Sequence, residues 1–398
     1  MTTPMPYYAP DFRIQVNGKD IPAALRASIT SVSYQDGINA ADRVEIGIAN
    51  PSLRWLQQHI RGLGLSASNA QFQIVGSTVA QAGPEGLFDI DNALSLALGY
   101  APGPLDDVFQ GDITGVQASF PNGGMPSLTL VAHDALNRLA RGTGVRGFGA
   151  LPDVLIAAIV SVENRLIPLI DTDVMSASVA LAVLNKVFKG TGIKQAAAGR
   201  GESSLELVKR VAAHYDADFW VEGDTLHLSR FIKDYDPSLT LVWGESLLDF
   251  SPQVSVIGQV AGVSMKFSLR EIGMSFLVSV FWDFDRESLG IDVTPASGAS
   301  PKTDKGPRLS IADQPISCPA DIATSALVIL RQLRTQLNGR MTGRGTVIGN
   351  PKLKAGQLVS LQGLGPDFSG NWRVKGATHT LDSGGYRTHF DVYKEIIP

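Results

Sequence analysis

Residues Gly349 to Tyr393 read GNPKLKAGQLVSLQGLGPDFSGNWRVKGATHTLDSGGYRTHFDVY, and this stretch decides the fold. A short strand at Gln357–Leu361 is followed by a loop rich in Gly and Pro. A longer strand then alternates, with four side chains on one face: Trp372, Val374, Thr378 and Thr380. Gly384-Gly385 reverses the chain, because glycines tolerate the positive φ of hairpin turns. The return strand places four residues on one face: Tyr386, Thr388, Phe390 and Val392. The stretch predicts an antiparallel hairpin at the edge of a small barrel.

A second stretch repeats the spacing of this hairpin. Gly115 lies eight residues before Gly123-Gly124, as Gly376 lies eight residues before Gly384-Gly385. An alternating strand follows each glycine pair, which suggests one turn register used at both ends of the chain. The sequence therefore predicts two similar barrels in one chain.

Several motifs of the last fifty residues resemble the C-terminal barrel of the baseplate hub family. This family contains the late control D-like and T-even-like hub proteins of contractile-tailed phages and the N-terminal part of type VI secretion spike proteins. The motifs are Gly349-Asn350-Pro351, Gly356, Phe368-Ser369-Gly370-Asn371-Trp372-Arg373-Val374 and Gly384-Gly385-Tyr386-Arg387-Thr388. The resemblance is specific over roughly the last 55 residues, moderate over residues 11–135 and weak between them.

Composition indicates a folded chain made of many short strands. The 398 residues include 41 Gly and 22 Pro, with 44% hydrophobic and 18% charged residues. About 150 residues per domain would give two to four domains. The start of the chain lacks the basic and apolar segments of a signal peptide, and no apolar run reaches membrane-spanning length. The single cysteine, Cys318, excludes an internal disulfide and fits synthesis in a reducing cytoplasm.

The fold class expected is mainly β, with two similar antiparallel β-barrels and a smaller α+β insert. The insert is indicated by a capping box, Ser203 with Glu206, at the start of an amphipathic helix. We expect the following parts: a first barrel at 1–138 with a loop insertion at about 62–105, an α+β insert at 139–245, and a second barrel at 246–398 with a linker at 284–318 and a helix at 321–338.

Charge is unevenly distributed along the chain. Residues 62–137 contain seven acids and no Lys or Arg, whereas residues 331–398 contain ten bases and four acids. This polarity suits head-to-tail contacts between copies or partners, and ordinary solvated faces explain it equally well. Four arginines cluster around the predicted helix: Arg331, Arg334, Arg340 and Arg344. They could bind phosphate or contact an acidic neighbouring subunit, so they form a possible interface.

No motif supports catalysis or a bound cofactor. Gly142-Thr143-Gly144-Val145-Arg146-Gly147 fits a dinucleotide pattern but follows a predicted helix, so a loop is the better interpretation. His379 and His389 could face each other across the last hairpin, which is at most half of a zinc site. Asp283 and Asp285 share a strand face as paired glycosidase carboxylates might. Cys318 lacks the surroundings of an activated thiolate. We expect no enzyme activity, no cofactor and no metal.

The resemblance implies a homotrimeric ring in which three copies present six barrels. Such a pseudo-sixfold ring would adapt a sixfold tail tube to a threefold spike and enclose a channel that passes DNA or an effector. The expected partners are the tail tube protein, other baseplate proteins and a separate spike protein, because this sequence stops at Pro398 where type VI spikes continue. The expected location is a phage virion or an extracellular injection particle, without a membrane anchor. The alternative is a secreted β-rich carbohydrate-binding or hydrolytic protein.

Overall fold

One thirteen-stranded sheet contains most of the strands. The computed structural model describes residues 9–50, 86–141, 151–188, 202–229 except 216, 236–255, 262–269, 274–283, 288–295, 308–316, and 329–395 except 330–332 and 336. Within these residues the chain is mainly β with a smaller α+β region, which confirms the predicted fold class. No helix among them is both long and apolar enough to cross a membrane.

The first barrel is formed by strands from the N-terminal third of the chain. Its elements are β1 (Ala9–Val16), β2 (Lys19–Asp20), α1 (Ala23–Arg26), β3 (Ile29–Gly37), β4 (Arg43–Ala49), β5 (Ala93–Ala101), β6 (Leu105–Ser119) and β7 (Ser127–His133). The strand order is β3-β4-β7-β6-β5-β1, with β2 at the edge. Side chains alternate in face along each strand, and the inward-facing ones fill the core of this barrel, such as Val44, Ile46 and Ile48 of β4.

The α+β region follows the first barrel. Its elements are α2 (Leu136–Ala140), α3 (Asp153–Glu163), β8 (Ile167–Ile170), α4 (Thr172–Phe188), α5 (Ser204–His214), β9 (Asp218–Glu222) and β10 (Thr225–Ser229). The strands form a separate sheet in the order β8-β10-β9. The predicted capping box is present, because Ser203 Oγ accepts from the Glu206 amide and the Glu206 carboxylate accepts from the Ser203 amide. The capping box starts α5, and the buried side of this helix packs into the hydrophobic core of the α+β region.

The second barrel is built from the C-terminal part of the chain. Its elements are β11 (Leu239–Val242), β12 (Leu247–Val254), β17 (Met341–Ile348), β18 (Leu358–Gln362), α6 (Gly365–Phe368), β19 (Gly370–Asp382) and β20 (Gly385–Tyr393). A four-stranded sheet lies between β12 and β17 in the chain: β13 (Gly262–Leu269), β14 (Met274–Asp283), β15 (Ser288–Pro295) and β16 (Arg308–Ile316). Helical residues between 329 and 338 pack on this sheet through Ile329, Leu333 and Leu337.

The two barrels share one strand order. Taken in chain order, β1, β3, β4, β5, β6 and β7 correspond to β11, β12, β17, β18, β19 and β20, and both sets run in the same path across the sheet. The sixth strand differs in direction, because β1 is antiparallel to β5 whereas β11 is parallel to β18. The other strand pairs are antiparallel in both barrels.

Register matches as well as order. In the first barrel one extra residue on β6 separates the pair Ile113–Ala132 from Gly115–Val131. In the second, one extra residue on β19 separates Val374–Val392 from Gly376–Asp391. A second bulge is also shared, between Ile29 and Ser31 of β3 and between Leu247 and Asp249 of β12. Because bulges are specific local features, their repetition indicates an internal duplication.

The glycine spacing that suggested the duplication has a different cause from the one expected. Gly123-Gly124 lies in the open loop between Ser119 and Ser127, while Gly384 lies in a tight turn between Asp382 and Gly385. The turns therefore differ. What the two hairpins share is the bulge immediately before Gly115 and Gly376.

That bulge also corrects one predicted strand face. Trp372 and Val374 are buried as expected, but beyond Lys375 the buried residues are Ala377 and His379, not Thr378 and Thr380. One extra residue moves every later side chain to the opposite face. The return strand has no bulge, and its predicted inner face is confirmed by the burial of four residues: Tyr386, Thr388, Phe390 and Val392.

Two segments predicted to be irregular contain strands. The predicted loop at 62–105 includes β5, in which Leu94, Leu96 and Leu98 face the core. The predicted linker at 284–318 includes β15 and β16, which pair with β14 and β13. Pairing with neighbouring strands fixes these segments despite their weak local β-propensity. In addition, β11 lies before the expected boundary at residue 246, yet it pairs with β18 of the second barrel. The remaining domain limits stay a prediction.

Candidate functional site

The two barrels are joined along β19. Its first half pairs with β18 of the second barrel, and its second half pairs with β3 of the first barrel. We call the pairing of β19 with β3 the joint. It runs antiparallel from Gly376 opposite Gly37 to Leu381 opposite Val32. Tyr386 from the neighbouring β20 then packs into the core of the first barrel. The two barrels thus share one sheet and part of one core.

A buried histidine lies at the centre of the joint. His379 is 1% exposed and stacks on Tyr34 of β3, with 5.5 Å between ring centroids. Its Nε2 is 3.1 Å from the Leu353 carbonyl, and its Nδ1 is 2.9 Å from the Tyr386 hydroxyl and 3.1 Å from the Thr388 hydroxyl. Burial lowers the pKa of His379 to about 4. The ring is therefore neutral, with Nε2 donating to the carbonyl and Nδ1 accepting from a hydroxyl.

The motif that opens the C-terminal stretch closes over this histidine. The Gly349 amide donates to the Tyr386 carbonyl at 2.9 Å, and the Gly349 carbonyl accepts from the Tyr100 hydroxyl at 3.0 Å. The Asn350 amide donates to the Thr388 hydroxyl at 3.1 Å; Asn350 is half-buried, and Gly349 and Pro351 on either side of it are buried. Gly349, Asn350, Pro351 and Tyr386 are thus brought together at the joint, as parts of one hydrogen-bonded cover.

The other predicted motif residues have structural positions in turns and in the core of the second barrel. Gly356 has φ of +84° and its amide donates to the Val374 carbonyl at 2.8 Å. Asp91 is the equivalent residue in the first barrel, with φ of +72° and a 2.9 Å bond to the Ile113 carbonyl. Gly370 starts β19 with φ of +116°. Trp372 is fully buried and donates from Nε1 to the Phe368 carbonyl at 2.9 Å.

A cleft of about 810 Å³ opens where the joint meets the α+β region. Tyr34, Asp36 and Asp42 line it from the first barrel, Trp220 from β9, and Lys354 from the loop before β18. The Trp220 ring stacks on His227 with 5.0 Å between centroids. The cleft therefore has walls from all three parts of the chain and an acidic floor.

Three of the five acids that line this cleft, Asp36, Asp42 and Asp134, each accept a hydrogen bond from a backbone amide. Asp36 accepts from the Ala355 amide at 2.7 Å, which links the first barrel to the second. Asp42 accepts from the Tyr34 hydroxyl at 2.8 Å and from the Gly37 amide at 3.1 Å. Asp134 accepts from the Leu136 amide at 3.1 Å. Burial raises the pKa of all three, to about 8 for Asp42 and about 7 for Asp134. Among the described residues, no group of three His, Cys, Asp or Glu is placed to hold a metal ion.

Relative to the wild type, Asp42→Asn is expected to raise the free energy of unfolding more at pH 8 than at pH 5, by on the order of 2 kcal/mol. Burial raises the folded-state pKa of Asp42 to about 8, whereas the pKa of this side chain in the unfolded chain is near 3.8. The contribution of Asp42 to the free energy of unfolding is therefore fully present below the unfolded pKa and is lost as the pH rises through 8. The neutral amide removes this loss. Denaturant midpoints of both proteins from pH 5 to pH 9 measure it.

Asp107→Asn is the control, because this acid also lines the cleft but its side chain is 79% exposed. It should leave the pH profile of the wild type in place. A profile for Asp42→Asn that runs parallel to that of the wild type would show that Asp42 does not titrate with folding.

Several polar contacts hold the α+β region against the first barrel. Arg138 donates two hydrogen bonds, of 2.8 and 3.1 Å, to the Asp112 carboxylate and a third, of 2.9 Å, to the Asp224 carboxylate. Asn39 exchanges backbone and side-chain hydrogen bonds with β9, at 3.0 Å to the Phe219 carbonyl and 2.9 Å from the Phe219 amide. Its φ of +61° is a conformation that asparagine tolerates better than most residues.

The four predicted interface arginines make different contacts. Arg334 lies 3.5 Å from Asp218 and its side chain is only 13% exposed, so it ties the chain internally to β9. Arg344 of β17 lies 3.0 Å from Asp391 of β20 and is 87% exposed. Arg340 is half-buried and immediately precedes β17. Arg331 lies outside the described residues. An interface role for Arg340 and Arg344 stays a prediction.

Of the residues weighed for catalysis or metal binding, the structure describes the side chains of the two histidines, and it places them on opposite faces of the last hairpin. His379 faces the core, whereas His389 lies on the exposed face of β20 opposite Thr378, because consecutive pairs alternate in face. Several of the others lie outside the described residues: the glycine motif at 142–147, Asp285, Cys318 and the side chain of Asp283. The joint and the cleft acids had no local sequence signal, since Asp36 and Ala355 are 319 positions apart.

Solved structures with the same fold are phage tail and secretion proteins. A 43 kDa tail protein of prophage MuSo2 from Shewanella oneidensis superimposes with a TM-score of 0.61 and 12% identity, covering 96% of this chain and 98% of that chain. A tail protein from Neisseria meningitidis gives 0.58 and 13%, with 97% of both chains covered. An Escherichia coli component of the type VI secretion system gives 0.51 and 10%, with 97% and 80% covered.

That secretion component is itself described as structurally similar to the T4 bacteriophage tail proteins gp27 and gp5. No protein-family model matches the sequence, and no curated protein matches it. At these identities the likeness establishes the fold.

Proposed function

We propose that the chain is a structural baseplate hub of a contractile phage tail or a related injection machine. Three copies form a ring that adapts the sixfold tail tube to the threefold spike and encloses the central channel. The tube protein binds on one side, a separate spike protein binds on the other, and further baseplate proteins bind around the ring. DNA or an effector passes through without sequence-specific binding. The particle is a virion or an extracellular injection device assembled from proteins made in the bacterial cytoplasm.

The internal duplication is the observation that carries this proposal. A protein that joins a sixfold ring to a threefold object needs two equivalent contacts per chain, so that three chains offer six. The two barrels provide this equivalence down to their register, since the bulges before Gly115 and Gly376 coincide. A chain with unlike barrels could not offer near-equivalent contacts around the ring.

The similar solved structures support the same role. They are tail proteins and a secretion-system component, and the likeness to the first two extends over nearly the whole of both chains. The His379 network and the cleft acids make hydrogen bonds that hold parts of the chain together.

The mass of the purified protein in solution tests the proposal. Light scattering should give three times the 42.4 kDa chain mass, and electron micrographs should show a ring with a central hole. A carbohydrate-binding or hydrolytic protein needs no such symmetry. A folded protein that stays a single protomer, with or without tail tube protein present, would rule the hub out.

A further inference from the structure

Three carboxyl groups meet at the boundary between the first barrel and the α+β region. Asp36 lies near the end of β3, Asp42 lies just before β4, and Asp134 lies between β7 and α2. Asp134 is buried, and the other two are half-buried. The Asp134 amide donates to the Asp42 carbonyl at 3.1 Å, and the Asp42 carboxyl group accepts from the Gly37 amide, next to Asp36. We call Asp36, Asp42 and Asp134 the acid cluster.

The acid cluster lies at both ends of a turn that contacts the α+β region. This turn, residues 38–42, connects β3 to β4, and Asn39 within it contacts β9. The Asn39 amide donates to the Phe219 carbonyl at 3.0 Å, and the Asn39 side chain accepts from the Phe219 amide at 2.9 Å and donates to Asp218 at 2.8 Å. The Asp42 carboxyl group closes the same turn through the Gly37 amide. The shape of the turn that holds β9 therefore depends on the acid cluster.

Like charges act on the carboxyl groups of the cluster. Asp36 and Asp134 both act on Asp42, whose hydrogen bonds come from the neutral Tyr34 hydroxyl and Gly37 amide. Lys354 favours the ionised form of Asp36, and Arg138 favours that of Asp134. The titratable and charged groups that face the cluster from the surrounding elements are Arg13 of β1, Tyr34 of β3, Asp107 of β6, Arg138 of α2, Asp218 and Glu222 of β9, Lys354 before β18 and the neutral His379 of β19.

The closed boundary holds protons that a hydrated boundary would release. Burial is the main cause that raises the pKa of all three carboxyl groups, to about 8 for Asp42 and about 7 for Asp134. In water the pKa of an aspartate is about 3.9. The closed state is therefore fully favoured below about pH 4, and this advantage is lost as the pH rises through the raised pKa values.

We propose that the acid cluster is a pH-dependent switch between the first barrel and the α+β region. The boundary is closed while the carboxyl groups hold their protons, and it opens when they lose them and take up water. Opening withdraws the turn with Asn39 from Phe219 and widens the cleft. The ladder between β19 and β3 stays intact, because its backbone hydrogen bonds do not involve the carboxyl groups. The switch is a property of one chain and does not depend on the proposed ring.

Hydrogen exchange at the amides of Asn39 and Phe219 tests the switch, because both amides have their hydrogen bonds across the boundary. Exchange in the full chain is followed by mass spectrometry with residue-level fragmentation from pH 5 to pH 7, and each rate is divided by the chemical exchange rate at that pH. Opening that releases one proton becomes about tenfold more frequent for each pH unit, so the corrected rates should rise by at least this factor. The amides of β20, which pairs with β17 and β19, should keep their protection.

Asparagine substitutions identify the groups that titrate. Asp42→Asn with Asp134→Asn removes two of the three titrating groups and keeps an oxygen acceptor for the Gly37 and Leu136 amides. In this double variant the rise per pH unit should be smaller by about tenfold or more. Either substitution alone should give an intermediate slope. Asp107→Asn is the control and should keep the slope of the wild type, because Asp107 lines the same cleft with a side chain that is 79% exposed.

Three outcomes would refute the switch. The first is protection at Asn39 and Phe219 that stays constant between pH 5 and pH 7. The second is an equal loss of protection in β20, since that would be unfolding of the whole chain. The third is a double variant with the slope of the wild type. None of these results bears on the ring, which the mass of the protein in solution tests separately.

Discussion

Replacing Trp372 with alanine is expected to lower the free energy of unfolding by about 3 to 5 kcal/mol. The Trp372 side chain is 0% exposed, packs edge-on against Phe250 at 5.3 Å and donates to the Phe368 carbonyl. Truncation removes the largest side chain of the second-barrel core and leaves the partly buried Phe368 carbonyl without its donor. The denaturant midpoint of the purified variant measures the loss.

Trp243→Ala provides the matched control. This tryptophan follows β11 in the same barrel, and its side chain is 58% exposed. Its removal should change the unfolding free energy by less than about 0.5 kcal/mol. Similar losses for the two variants would mean that the core of the second barrel is not centred on Trp372.

Gly349→Ala is expected to destabilise the protein by about 3 kcal/mol, at the upper end for the addition of a single methyl group. A Cβ at this position would lie 2.1 Å from Cγ of Tyr386. The Tyr386 ring cannot move aside without loss of hydrogen bonds, because its hydroxyl contacts His379 and the Tyr386 backbone carbonyl accepts from the Gly349 amide. Thermal unfolding should show the loss, together with weaker attachment of the two barrels.

Gly115→Ala is the control for this substitution. Its Cβ would meet only Val131 Cβ at 3.9 Å, an ordinary contact, so the unfolding free energy should hardly change. In a double-mutant cycle, Tyr386→Ala should cost less in the Gly349→Ala protein than in the wild type, because the clash disappears with the ring. Additive costs would place the strain elsewhere.

The sequence was sufficient to predict the elements whose information is local. Alternation placed Tyr386, Thr388, Phe390 and Val392 on the inner face of β20, and all four are buried. The same rule failed on β19, because the extra residue at Lys375 leaves no mark in the alternation of apolar and polar side chains. Bulges depend on the partner strand, so a single strand does not reveal them.

The duplication could be inferred from spacing, but the joint could not. Gly115 and Gly376 indicated two related hairpins, although the glycine pairs after them lie in different turns. The pairing of β19 with β3, and the bond from Ala355 to Asp36, connect residues hundreds of positions apart. Likewise, β5 contains no β-branched residue, and its neighbours in the sheet decide its conformation.

Strand β19 serves both barrels, so the path between them is a continuous run of covalent bonds with a hydrogen-bonded ladder on either side. Rotation of one barrel relative to the other would need a flexible connection at this point, whereas the shared strand is a rigid connection. A force or torque applied to one barrel is therefore transmitted directly to the other, and the two barrels behave mechanically as one unit.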